Sequence, residues 1–157
     1  MFADFYGFLY YLIQHFSYPG IFLASFIASA TIFLPISSHL LTFVAAGFLN
    51  PWLVGLVSAL GATLGECVGY ALGYGIKKVV DGRKIFKEQK WVGKLKRWTF
   101  LLIFISAATP LPDDLAGMYA GAISYPFAKF FLACFLGKVV LFVLIAMGGY
   151  STFSYLF

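Results

Sequence analysis

Four sets of residues in this sequence could do chemistry, and each stands where an apolar chain would normally exclude it. Glu66 lies inside Leu60–Gly75, a run otherwise dominated by glycine, alanine and aliphatic side chains. Lys138 lies inside the equally apolar stretch 127–149. Asp113 and Asp114 adjoin at the end of Thr109-Pro110-Leu111-Pro112-Asp113-Asp114, and Ser37-Ser38-His39 follows Pro35 by one residue. An ionisable group in such a setting is costly, and by default it marks a functional site. Two adjacent aspartates cannot both ionise cheaply at close quarters, so one of them could exchange protons. For Glu66 the plainer alternative is a protonated structural glutamate in a helix interface. Ser37-Ser38-His39 has the residue types of a hydrolase, but adjacency along a chain does not make a nucleophile–base dyad. No residue is assigned a catalytic role.

The chain has 157 residues, 62% of them hydrophobic and 11% charged, with a mean hydropathy of +0.92. A soluble domain carries about 25% charged residues. The composition, with 19 Phe and 10 Tyr, is that of an all-α polytopic membrane protein with room for one domain. The net charge of +5 does not point to nucleic acid, because nine of the eleven basic residues fall between Lys77 and Arg97. Cys67 and Cys134 both lie in apolar segments at a spacing that supports neither a disulfide nor a metal site. They are expected to be packing residues, and no metal or cofactor is expected. No Lys or Arg precedes Lys77, so the N-terminal stretch lacks the positive region of a cleavable signal.

The elements that must position these groups follow from punctuation and length. Residues 3–16 are aromatic-rich, short for a span, and expected to form an interfacial helix. Residues 21–49 are two apolar arms of about 10–14 residues, each roughly half of a span, broken at Pro35. They form either one kinked helix or a re-entrant hairpin with Ser37, Ser38 and His39 at its tip, and the polar tip favours the hairpin. Pro51 opens a transmembrane helix over 51–76. Gly61, Gly65, Gly69 and Gly73 recur there every fourth residue, a ridge that lets a neighbouring helix approach closely. Residues 77–98 form a basic loop that the positive-inside rule assigns to the cytoplasm. Residues 99–123 form a second broken segment around Pro110 and Pro112, returning through Gly117 and Gly121, and 126–149 is a second transmembrane helix. Glu66 is ten residues from Ile76, roughly 15 Å deep, and Lys138 is buried roughly 16 Å from its own end.

The two halves echo each other. Pro35, Gly47 and Pro51 correspond to Pro110, Gly121 and Pro126, and a long span with a midplane charge follows each set. Because one half ends at the basic loop and the other begins there, this is an inverted-topology repeat with broken helices in matching places, the strongest sequence pointer to a transport site. Glu66 and Lys138 are expected to face each other, with Asp113, Asp114 and the Ser37-Ser38-His39 tip nearby.

Gly65-Glu66 followed by Gly69-Tyr70 and Gly73 resembles the "GD(x)xGYxxG" stretch of the DedA family, also called the SNARE-associated or VTT-domain family. Thr109 to Asp114, Ala120-Gly121, Tyr125-Pro126-Phe127-Ala128-Lys129-Phe130-Phe131-Leu132 and Leu136-Gly137 resemble its second block. The resemblance spans roughly residues 20–149. It implies two re-entrant hairpins facing each other across the membrane and an activity of moving lipids, including polyprenyl-phosphate carriers and phospholipids, with proton coupling in bacterial members. Glu66 carries over as a family acidic residue. Where bacterial members have an acid after the first hairpin proline, this chain has Ser37, Ser38 and His39. Where they have arginines around the second hairpin's first proline, it has Ala107 and Asp113. Arginine is the natural bidentate phosphate ligand, so phosphate recognition would fall to Lys138, His39 and half-helix N-termini.

The leading expectation is a lipid flippase or scramblase of the plasma membrane with a polar midplane cavity, its partners being membrane lipids and protons. The second is a proton-coupled transporter of a small cationic solute bound by Asp113 and Asp114. A lipid-modifying enzyme is the third. Oligomeric state is left open, with a homo-oligomer among the options.

Overall fold

The computed structural model describes residues 17–30, 38–81, 91–109 and 114–156. Six helices account for nearly all of these: α1 (Ser17–Ala30), α2 (Ser38–Ala46), α3 (Pro51–Asp81), α4 (Trp91–Ala107), α5 (Asp114–Ala122) and α6 (Phe127–Leu156). α3 and α6 are each long and apolar enough to cross a membrane. Their outward faces carry exposed Leu60, Leu64, Val68 and Leu72 on α3, and Leu132, Leu136, Val140 and Leu144 on α6. Rows of exposed leucine suit a lipid solvent, which is as apolar as the side chains it meets.

Asn50 shows why α3 begins where it does. Its Oδ1 accepts the amides of Trp52 at 3.0 Å and Leu53 at 3.5 Å, an N-cap that satisfies donors with no partner inside the helix. Pro51 then takes the first helical position, where its missing N–H costs nothing. Asn50→Ala is expected to destabilise the fold by about 1 kcal/mol in equilibrium unfolding.

Helix α5 ends in a Schellman motif. The Tyr125 amide reaches Ala120 O and the Ser124 amide reaches Gly121 O, both at 2.9 Å. Ser124 is the left-handed residue, at φ 49°, a position usually given to glycine. Its hydroxyl is used as well, accepting a 2.9 Å hydrogen bond from Lys77 Nζ on α3.

Close backbone approaches at glycines set the packing. A Cβ at Gly61 would collide with the carbonyl of Phe22, and one at Gly65 would lie 2.6 Å from the carbonyl of Phe26. The order of these contacts makes α1 run parallel to α3. α2 runs the other way: Thr42 donates to Ser58 Oγ at 2.9 Å, and its later residues Ala45 and Ala46 pack with Val54. On α6, Gly137 receives α4, its Cβ position 2.6 Å from the Phe104 carbonyl. The second short arm of each half then rests on the long helix of the other half. α5 meets α3 where Gly73 abuts the Met118 carbonyl, and α2 meets α6 where Gly149 abuts the Phe43 carbonyl. Gly61 and Gly73 on α3 have the same separation as Gly137 and Gly149 on α6.

Several boundaries differ from those expected from sequence. α1 begins at Ser17, ahead of the arm expected from residue 21, and Pro19 is tolerated in its first turn. α3 continues past Ile76 through Lys77 and Lys78 to Asp81, since long lysine side chains can reach water without ending a helix. α4 takes up the last third of the basic stretch from Trp91, and α6 runs on past Gly149 to Leu156. The glycine ridge of α3 serves two partners and not one, α1 at Gly61 and Gly65 and α5 at Gly73, with Gly69 buried between them. The expected interfacial helix 3–16 lies outside the described residues.

Candidate functional site

α3 and α6 cross antiparallel, as the pairings of Gly55 with Val143, Glu66 with Lys138 and Tyr70 with Phe130 show. At the middle of that crossing Lys138 Nζ lies 3.1 Å from Glu66 Oε2, with the two side chains 6% and 2% exposed. Cys134, one turn before Lys138, places its Sγ 2.8 Å from the same carboxylate oxygen. Residues four apart on a helix share a face, so α6 presents both groups to Glu66 together. α5 closes the opposite side through Gly117, where an added Cβ would lie 3.3 Å from Glu66 Cγ and 3.6 Å from Oε1. A larger residue at 117 would crowd the carboxylate.

The surroundings grade from this centre towards both ends. Towards the start of α3, Phe142 follows Lys138 by one turn, and the imidazole of His39 stacks on it at 5.2 Å and 3°. The hydroxyls of Thr42 and Ser58 pair in the same region, and Thr42 also lies 2.9 Å from Ser38 O. Towards the end of α3, Tyr70 stacks on Phe130 at 4.9 Å and donates to the Tyr125 carbonyl at 2.5 Å. A Cβ at Gly121 would strike the carbonyl of Tyr70, so the connection between α5 and α6 sits directly on α3.

Of the residues expected at a site, the structure brings Glu66 and Lys138 into contact and sets His39 against the next turn of α6. Ser38 and His39 open α2, and Ser38 is buried. Asp114 opens α5, one turn ahead of Gly117. Ser37, Asp113, Pro35, Pro110 and Pro112 lie outside the described residues, as does the side chain of Asp114. Sequence reasoning missed Cys134 as a partner of the carboxylate, and Gly117 and Gly137 as close-approach positions. One signal was available: Gly65-Glu66 and Gly137-Lys138 are parallel pairs, each charge following the glycine that receives a short helix.

A bundle of apolar helices, two of them spanning, around a buried carboxylate–ammonium pair defines an all-α, multi-pass integral membrane protein. The VTT domain matches residues 34–151, most of the chain. The chain therefore belongs to the VTT-domain family, the DedA family of membrane proteins. That membership makes it a lipid-handling membrane transport protein and not an enzyme. It is also similar to an uncharacterized protein of Methanocaldococcus jannaschii, 35% identical over 141 residues, covering 85% of this chain and 84% of the relative. No solved structure matches the chain.

Proposed function

We propose that this protein is a lipid flippase or scramblase in which a headgroup crosses the bilayer beside Glu66 and Lys138 while the acyl chains remain in lipid. The observation that carries the reading is the buried pair itself, 3.1 Å apart with almost no exposure. A desolvated ion pair is poor stabilisation compared with apolar side chains of similar volume. Its place at the centre of the α3–α6 crossing fits a role in handling charge.

In this reading the α1–α2 and α4–α5 segments are re-entrant hairpins of an inverted repeat, and residues 1–157 form one membrane domain. The antiparallel run of α1 and α2, and the exchange of α2 and α5 between the two long helices, support that arrangement. The basic stretch 77–98 faces the cytoplasm of a plasma-membrane protein. A headgroup phosphate arriving at midplane competes with Glu66 for Lys138, exchanging one charge-assisted hydrogen bond for another. Glu66, released, can take a proton, which would couple lipid movement to a proton gradient. His39 and Ser38 border the route. Phospholipids and polyprenyl phosphates share the phosphate that Lys138 would bind.

The test is reconstitution of the wild type and Glu66→Gln in liposomes, with dithionite quenching of a fluorescent phospholipid. Wild type is expected to expose inner-leaflet lipid rapidly, and Glu66→Gln to slow this by about tenfold or more, the loss of one transition-state interaction of ~1.4 kcal/mol. Wild type no faster than empty liposomes would sink phospholipid scrambling. Proton uptake in those same vesicles on adding a small organic cation would transfer the proposal to a proton-coupled cation transporter.

A further inference from the structure

Cys134 and Cys67 look alike in the sequence, and the structure separates them. Cys67 is half-buried and its thiol turns along its own helix to the Thr63 carbonyl, at 3.3 Å. Cys134 has no exposed surface and crosses between helices, its Sγ 2.8 Å from Glu66 Oε2. Lys138 Nζ reaches that same oxygen. Sulfur lone pairs would be repelled by a carboxylate at this distance, so the contact is favourable only with the S–H directed at the oxygen; a thiol is a weak donor, but the acceptor here is charged and out of water. Among the described residues, those set against Glu66 include Cys134 and Lys138 from α6, Gly117 from α5, and Cys67 next to it on α3.

We propose that Cys134 is a positioning residue for lipid movement: its S–H···O bond holds the Glu66 carboxylate towards α6 while Lys138 turns to a headgroup. The assignment rests on the lipid-transport reading above. A buried carboxylate is destabilised by each donor it loses. With the thiol in place, the departure of Lys138 leaves Glu66 aligned for its return. The thiol suits this role because its bond is weak enough not to compete with the ammonium.

The full chain in a Cys67→Ala background has one thiol, because the sequence holds two cysteines, so its infrared S–H stretch reports Cys134 alone. In liposomes that band is expected below the free-thiol frequency, and Glu66→Gln is expected to move it upward. Cys134→Ala is expected to slow lipid movement by about tenfold, the size of one hydrogen bond to a charged group, and Cys134→Ser to restore it. A band at the free-thiol position that ignores Glu66→Gln overturns the proposal, whatever the transport rates. Equal losses in the alanine and serine variants overturn it in favour of packing. A shifted, Glu66-sensitive band in a protein that moves no lipid upholds the hydrogen bond and sinks the transport reading instead.

Discussion

Lys138→Met is expected to cost about 3–5 kcal/mol of stability, and the double variant Glu66→Leu/Lys138→Met to recover most or all of it. The single change leaves the Glu66 carboxylate buried at the α3–α6 crossing with its ammonium gone and the weak thiol of Cys134 beside it. The double change removes both charges and leaves apolar side chains of similar volume at a buried position on each long helix. Replacing buried ion pairs by hydrophobic residues is often neutral or stabilising. Lipid movement is expected to be lost in both variants. Equilibrium unfolding in mixed micelles, read beside the liposome assay, separates the two quantities. A double variant as unstable as the single one would mean that the pair is held for packing reasons and would remove its claim to function. A stable double variant that still moves lipid would place the headgroup route elsewhere.

Gly73→Ala and Gly75→Ala, two residues apart on one helix, should behave as opposites. At Gly73 the new methyl would meet the backbone carbonyl of Met118, and at Gly75 it would meet nothing within 4 Å. A carbonyl cannot rotate out of the way as a side chain can, so α5 itself must shift. Overpacking of this kind costs about 1–3 kcal/mol, and here it carries a functional loss too, because Gly117 on the same short helix closes the site against Glu66. Gly75→Ala is expected to be neutral or to gain up to about 1 kcal/mol, the helix preference of alanine over glycine. Gly149→Ala, which meets the Phe43 carbonyl on α2, should match Gly73→Ala. Unfolding midpoints of the three variants decide the matter. Equal tolerance at 73 and 75 would rule out the close approach.

How much of this could be read from the sequence depended on whether a feature belongs to one helix or to the phase between two. α3 and α6 were legible because Pro51, Pro126 and the length of each apolar run are local signals. The meeting of Glu66 and Lys138 was legible because depth in a bilayer can be counted along a helix at fixed rise. The role of Cys134 was not, since a thiol that packs and one that donates have the same sequence context. Only the rotation of α6 against α3 tells them apart. The glycine ridge was visible as a ridge, but its division between α1 and α5 depends on where each short helix stops. Lys77 and Lys78 read as the start of a loop because charge usually ends a span. In the structure the helix runs on, and Lys77 finds Ser124.

The exchange of short helices between halves has a bearing on how the chain is made. α2 is complete by Ala46, yet the glycine of α6 that it rests on, Gly149, is more than a hundred residues further along. At synthesis rates of about 5–20 residues per second, α2 waits on the order of ten seconds for its main partner. Through that interval α2 has α1, whose Ile21 shares a core cluster with Ala45 and Ala46, and α3, to which the Thr42–Ser58 hydrogen bond ties it. α5, by contrast, finds α3 already in place when it emerges. The first half is therefore born incomplete and the second half finishes it, so a chain stopped before Phe127 leaves the N-terminal half for insertion factors and quality control to hold.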